Sequence, residues 1–248
     1  MSSSFIRSSN DRSGSQINES IFAWGYSYKK RINYLGSFGD FNFDDHFKLS
    51  KMLNIPLPFK NKPSDWDNSF LLESDDYSSI NPNYFIDDDF LKIIREKYWI
   101  DKERFKFKYP KVCVHIRRGD VKKGNIQGRY VPNSYYVDIV KNMRIISPNS
   151  RILIFSESES EEGFQEFSDI GCELKIDCDL KFCWEEMISC DVFVMSVGSF
   201  SYVPAMYNSG FVIFYPAWYT KLNHWNHKDD PDIFNKLKSY LEKKYNEL

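Results

Sequence analysis

The 248-residue chain lacks most of the signals that place a protein at a glance. Its five cysteines, Cys113, Cys172, Cys178, Cys183 and Cys190, are scattered, odd in number and form no Cys-x-x-Cys pair. That argues against a disulfide framework and supplies no zinc set. Strong charge of one sign is also missing: 33 Lys and Arg against 35 Asp and Glu leave −2. No global field draws the chain to nucleic acid or an anionic membrane, so any phosphate recognition must be local. The apolar runs are strand-sized, far short of the roughly 20 residues of a membrane span, and the first twenty residues hold no apolar signal region. Together with reduced thiols, this reads as a soluble cytoplasmic protein. Walker-type lysine loops, Gly-x-Ser-x-Gly elbows and Gly-x-Gly-x-x-Gly turns are absent too.

What is present in quantity is aromatic: 16 Tyr, 21 Phe and 6 Trp. Most such rings belong in a core, but flat faces of this kind also stack on sugars. Residues 1–20 are rich in Ser and Asn and read as a mobile arm. Residues 21–80 are aromatic and irregular, interrupted by Pro56, Pro58 and Pro63. Asp87-Asp88-Asp89 then opens a helix with Phe90, Leu91, Ile94 and Tyr98 at helical spacing, the acids favouring its N-terminus.

From residue 110 the pattern becomes regular. Strands are predicted at Lys111–Ile116, Arg151–Phe155, Leu174–Ile176, Val192–Met195 and Phe211–Tyr215. Helices are predicted at Asn133–Ile146 and Phe182–Ser189, with a last one after Asp230-Pro231 that turns Ile233, Phe234, Leu237 and Leu241 inward. Strands alternating with helices imply a parallel sheet covered on both faces, with ligands beyond the strands' C-terminal ends. The domain reading is an arm over 1–20, a reduced lobe over 21–107 and a ligand-binding lobe over 108–248.

The first of these strands ends in His115-Ile116-Arg117-Arg118-Gly119-Asp120. Burying an unpaired guanidinium costs several kcal/mol. Something anionic should therefore meet this pair, and the planar fork of arginine suits phosphate bidentately. A second segment, Val197-Gly198-Ser199-Phe200-Ser201-Tyr202-Val203-Pro204, follows the fourth strand. With Ser201 as cap, Pro204 falls in the first helical turn. Free N–H groups and two hydroxyls would then form an anion pocket, which Gly198 opens to close approach. The alternative is an ordinary Ser-capped helix.

His-Ile-Arg-Arg-Gly-Asp resembles the signature of the fucosyltransferase superfamily: the α1,2- and α1,6-fucosyltransferases and the protein O-fucosyltransferases. Ser199-Phe200-Ser201, with Cys190, Ala205 and Asn208 around it, resembles the second signature of the α1,2 group. Ile154-Phe155-Ser156 resembles that group's Phe-Ser-Asp strand end, with Glu157 in place of the aspartate. The resemblance spans roughly residues 80–215. Val197-Gly198 stands where the group has Asn-Ser, and its opening Gly-Asn-Gln loop has no counterpart here.

The resemblance implies an α/β GT-B-like fold of two Rossmann-like lobes, the N-terminal, acceptor-side one reduced and the C-terminal one built on a parallel sheet that binds nucleotide sugar. It implies inverting, metal-independent transfer, without a cofactor, from GDP-fucose to a glycan hydroxyl on a glycan or glycoprotein acceptor. UDP-xylose or another UDP-sugar is the alternative donor. Arg117 would take the β-phosphate, with Arg118 beside it or orienting it, and His115 would contact the diphosphate or nucleotide. Gly119, Glu157, Gly198, Ser199, Phe200 and Ser201 would complete the donor site. Asp120 is the candidate base, or else an orienter of the arginines.

A non-catalytic glycan-binding protein is the rival from another class, but it would have no use for a diphosphate clamp. Other runs carry weaker readings. Arg118-Gly119-Asp120 spells an adhesion tripeptide at a strand end. Asp177-Cys178-Asp179 reads as a base- or ribose-contacting turn or a solvated one, and Ser156–Gly163 as a solvated loop. His224-Trp225-Asn226-His227 reads as a polar aromatic loop rather than a metal site.

Overall fold

A computed structural model describes residues 2–104, 106–124, 128–160, 162–217 and 219–245. Residue 161 of the acidic loop lies outside them. The chain divides into two compact units, 1–103 and 104–248.

Unit 1 is built around a three-stranded parallel sheet of β1 (Ser3–Arg7), β2 (Asn33–Phe38) and β3 (Phe70–Leu72), in the order β2-β1-β3. Helices α1 (Ser13–Lys29), α2 (Phe43–Leu53), α3 (Asp75–Ser78) and α4 (Asp88–Tyr98) complete it. Residues 1–20 are therefore not an arm. Their strand is the central one, with Phe5 and Ile6 in the core, and they supply the first turns of α1. The arm reading failed because α1 buries small and polar residues, Ser13, Gly14, Gln16, Ser20 and Ser27, where large apolar ones were sought. Helix α4 matches the sequence reading: Asp87 caps it through Phe90 N–H at 3.0 Å, and Phe90, Leu91, Ile94 and Tyr98 are buried.

Unit 2 contains β4 (Lys111–His115), α5 (Asn133–Ile146), β5 (Arg151–Ser156), α6 (Gln165–Asp169), β6 (Glu173–Ile176) and α7 (Leu180–Ser189). It continues through β7 (Val192–Val194), α8 (Ser199–Tyr207), β8 (Phe211–Phe214), β9 (Asn226–His227) and α9 (Ile233–Tyr245). All six strands run parallel in the order β6-β5-β4-β7-β8-β9. The central strands are apolar on both faces, as a sheet covered on both sides requires. Val112, Val114, Ile152, Ile154, Val192, Val194 and Ile213 pack with Tyr136, Ile139, Val140 and Met143 of α5 and Ile233, Leu237 and Leu241 of α9. The predicted α/β class, two Rossmann-like units with parallel sheets, is what the chain forms. No helix among the described residues is long and apolar enough to cross a membrane.

In unit 2 the chain starts at β4, moves out to β5 and β6, then returns to the other side of β4 at β7. Strand order reverses between β4 and β7, and the helices leaving these two strands diverge. The crevice this opens at the strands' C-terminal ends is the ligand position of doubly wound sheets.

The opposite, N-terminal end of the central strands is closed by Asp191. Its Oδ2 accepts from Lys111 N–H and from Tyr245 hydroxyl, each at 2.7 Å, and its Oδ1 pairs with Lys244 Nζ at 2.6 Å. This carboxylate fastens the end of α9 to the sheet. Asp191→Ala is predicted to lower stability by about 2–4 kcal/mol, since a buried charged acceptor and its donors lose each other. Urea unfolding measures this.

Candidate active site

The reversal point brings together the two segments that the sequence singled out. His115 is the last residue of β4 and is buried. Ser201, in the first turn of α8, places its Oγ 2.5 Å from His115 Nδ1 and accepts from Ser196 N–H at 3.0 Å. The Ser201 hydroxyl proton has no destination among the described residues other than Nδ1. The neutral ring therefore carries its own proton on Nε2. Burial pushes the His115 pKa down to about 3, helped by the charges of Arg117 and Arg118. Phe200 lies tilted against the imidazole with centroids 4.9 Å apart and meets Trp184 edge-on at 5.8 Å, which restrains the imidazole's plane.

Ser196 links the two strand ends. Its Oγ accepts from Arg117 N–H at 3.1 Å and from Tyr136 hydroxyl at 2.9 Å. Neither Ser196 nor Tyr136 was singled out as a site residue. The signal for Ser196 is a polar residue directly after the apolar run Val192–Met195; Tyr136 reads as core by its spacing on α5.

Arg117 lies at the rim with its side chain 20% exposed. Its Nε and Nη2 donate to Asp120 Oδ1 and Oδ2 at 3.2 and 2.7 Å, and Nη1 leans on Val197 carbonyl at 3.4 Å. A guanidinium has five N–H groups. Two face Asp120 and one faces Val197, so two remain for a ligand. Both Asp120 oxygens accept from Arg117, an arrangement that orients the guanidinium.

Gly198 lies directly beneath this guanidinium, and a Cβ there would stand 2.5 Å from Arg117 Nη1. Its φ of +114° is also one that side-chain-bearing residues rarely adopt. Gly198 caps α8, and its carbonyl accepts from Ser201 and Tyr202 N–H. The N–H groups of Ser199 and Phe200 have no partner among the described residues. Two backbone donors at a helix N-terminus therefore adjoin two guanidinium donors.

Three expectations are corrected here. Helix α8 starts at Ser199, not after Ser201, and Pro204 sits in its interior. The Ser201 hydroxyl points inward to His115 and Ser196, so it is not a phosphate contact. Arg118, 1% exposed, faces away from the rim. It donates to Ser160 Oγ (3.2 Å), Arg117 carbonyl (2.8 Å) and Asn133 Oδ1 (2.5 Å), lies 3.7 Å from Glu162 and sits over the Tyr130 ring. Burial works against the charge of Glu162, but Asn133 N–H, Tyr130, Lys123 and Arg118 hold its carboxyl below the usual range. The anion that meets Arg118 is internal.

Gly119 turns the chain at φ +70°, and a Cβ there would run into the Glu157 carboxylate. Glu157 follows β5 and is exposed beside this turn. Asp179 is the N-cap of α7, accepting from Phe182 N–H at 3.1 Å, and Asp177 accepts from Ser158 N–H at 2.9 Å. His227 Nδ1 accepts from Asp229 N–H. No three His, Cys, Asp or Glu side chains converge as a metal set among the described residues.

No protein-family model and no curated protein matches the chain. Solved structures similar to it are glycosyltransferases, fucosyltransferases among them. The Escherichia coli heptosyltransferase WaaC with ADP-2-deoxy-2-fluoro heptose aligns at 7% identity over 98% of this chain and 100% of that one, with a TM-score of 0.49. A single-substitution variant of Arabidopsis thaliana FUT1 with GDP aligns at 8% over 88% and 72%, TM-score 0.40. The α1,6-fucosyltransferase NodZ of Bradyrhizobium, with GDP, aligns at 8% over 85% and 95%, TM-score 0.37.

The two arginines should separate in unfolding experiments. Arg118→Ala is predicted to cost about 3–5 kcal/mol, because buried partners are left without their cation. Arg117→Ala, at the rim, should cost about 1 kcal/mol or less.

His115 gives a pH prediction. The unfolded chain protonates this residue near 6.5 and the folded chain near 3. Between these values the unfolded state binds the extra proton. The stability contributed by the neutral ring is thus complete above 6.5 and falls progressively toward pH 3. NMR should show a His115 ring protonated on Nε2 alone, with no titration near 6.5.

Proposed function

We propose that unit 2 binds the diphosphate of a nucleotide sugar and that the chain is an inverting glycosyltransferase acting on a glycan hydroxyl. The observation that carries this is a single one. At the reversal of strand order, the two remaining Arg117 donors and the Ser199 and Phe200 N–H groups share one place, over a glycine. Four donors without a partner among the described residues, converging at a ligand position, suit a phosphate oxyanion.

In the transfer, the bond between the anomeric carbon and the β-phosphate oxygen breaks as the acceptor oxygen bonds to the opposite face of that carbon. The acceptor's proton leaves to a base. Negative charge grows on the departing diphosphate, and donors fixed in advance stabilise it without reorganising. Arg117, held by Asp120, meets that charge, and neutral His115 offers its Nε2–H. Metal-independent action follows in this reading, because guanidinium and helix N–H groups take the place a cation would fill.

Glu157, at the end of the strand next to β4, stands where doubly wound folds read a ribose diol, and we assign it to the nucleoside. Fucose from GDP-fucose is the donor sugar we propose on the resemblance of His115–Asp120, with UDP-xylose as the comparison donor.

Titration calorimetry tests the reading. GDP is predicted to bind the wild type, and Arg117→Ala to weaken it by about tenfold to a hundredfold while lowering turnover a hundredfold or more. GDP affinity unchanged in folded Arg117→Ala overturns the assignment. Tighter binding of UDP than GDP replaces the donor. Loss of turnover in EDTA overturns metal independence.

A further inference from the structure

Helix α8 opens with Ser199, Phe200 and Ser201, and the diphosphate reading uses only the first two. They offer backbone N–H groups, while the Ser201 side chain is fully buried and turned inward. A serine in a helix has an ordinary use for its hydroxyl, which returns its proton to the carbonyl one turn earlier. Here that carbonyl belongs to Val197, and it faces Arg117 Nη1 instead, at 3.4 Å. Ser201 Oγ lies 2.5 Å from His115 Nδ1, so the hydroxyl is spent on the imidazole at the end of β4.

The place of the proton follows from the second partner of the same oxygen. Ser196 N–H donates to Ser201 Oγ at 3.0 Å. A backbone N–H only donates, so one lone pair of Oγ is committed. With a proton on Nδ1, two donors would aim at Oγ, and the hydroxyl proton would have no acceptor among the described residues. With Nδ1 bare, the relay runs one way, from Ser196 N–H to Ser201 O–H to His115 Nδ1, and every atom is matched. A neutral imidazole has one proton to place, and the partner of one nitrogen decides which nitrogen carries it. Burial, aided by the charges of Arg117 and Arg118, keeps the ring neutral, so no second proton blurs the choice.

The consequence falls on Nε2, which has no hydrogen-bond partner among the described residues. The ring lies against Phe200, whose N–H is one of the donors at the start of α8. A proton on Nε2 makes the imidazole a further donor without adding charge. A lone pair there would oppose an oxyanion.

We propose that Ser201 is a positioning residue: with Ser196 N–H behind it, Ser201 fixes His115 as an Nε2–H donor for the anion at the start of α8. The identity of that anion rests on the diphosphate reading; the state of the ring does not.

Long-range 1H–15N NMR of the full chain reads the ring directly, with His115→Gln identifying its resonances among the four histidines. The wild type is expected to show Nε2 protonated and Nδ1 bare, and GDP to shift the Nε2 resonance. In Ser201→Ala the ratio of the two tautomers should move roughly tenfold toward the Nδ1-protonated form, the net worth of one hydrogen bond. GDP, measured by calorimetry, should bind this variant about threefold to tenfold more weakly. In a His115→Ala background, Ser201→Ala should change GDP affinity by less than about twofold, because a residue acting through the ring has nothing left to act on. A residue that merely fills space would weaken GDP equally in both backgrounds and leave the tautomer as it was.

A wild-type ring protonated on Nδ1 overturns the proposal, and that outcome needs no variant to fold. An unchanged tautomer ratio in folded Ser201→Ala overturns it as well, as does a full Ser201→Ala effect on GDP in the absence of the imidazole. Failure of GDP to bind the wild type, with a ring that still responds to Ser201→Ala, removes the diphosphate reading and leaves the hold of Ser201 on the ring in place.

Discussion

The site in unit 2 depends on the Nη1 end of the Arg117 guanidinium closing on an α-carbon without a side chain. Gly198 contributes twice, through a backbone conformation that few other residues adopt and through the missing Cβ that would strike Nη1. Asp120 then fixes rotation by taking the Nε side of the fork, which leaves Nη1 beside Gly198 and the Val197 carbonyl. A lysine at 117 would bring a point charge without the fork, and the division of one edge for orientation and another for ligand would be lost. The N–H groups of Ser199 and Phe200 remain free for the same reason: the cap is a glycine, which has no side chain to occupy them.

The neighbouring arginine shows how one turn separates two identical side chains. Arg117 continues outward from the strand, whereas Arg118 turns inward just before Gly119 reverses the chain. A guanidinium buried to 1% is tolerable only with nearly every donor matched. Ser160, Asn133, Glu162, Tyr130 and the Arg117 carbonyl supply the match. These partners come from the loop after β5 and the start of α5, so Arg118 holds three segments together and places the backbone that carries Arg117. Adjacent positions thus differ in exposure, and a sequence reading that treats both arginines as ligand groups fails for Arg118, whose donors are spent inside the protein.

Most of unit 2 was legible because its strands are buried on both faces and appear as unbroken apolar runs. Asn133–Ile146 also matched, since Tyr136, Ile139, Val140 and Met143 repeat at helical spacing toward the sheet. Three features were not legible. The start of α8 is set by the backbone of Gly198, which leaves no side-chain signal, and Pro204 pointed to a later start because proline normally avoids a helix interior. Helix α1 packs through Ser, Gly and Gln beside Ile17, Ile21 and Ala23, so its apolar stripe is thin. The direction of Ser201 is decided by His115 and Ser196, residues distant in sequence or lacking a motif of their own.

Both sheets place polar groups at the point where their strand order reverses, but with opposite electrostatic character. In unit 2 the groups are donors: a guanidinium and helix N–H groups, backed by an imidazole that burial keeps neutral. A neutral histidine there lets two cations sit nearby without a third charge to repel them. In unit 1 the groups are hydroxyls and an amide oxygen beside Glu19, whose own pKa burial raises against the opposing pull of Ser9. An anion would meet donors in the first and a carboxylate in the second. Similar topology thus carries two different sets of groups, because the residues following the first strand of each sheet differ: Ser8-Ser9 in one unit and Ile116-Arg117 in the other.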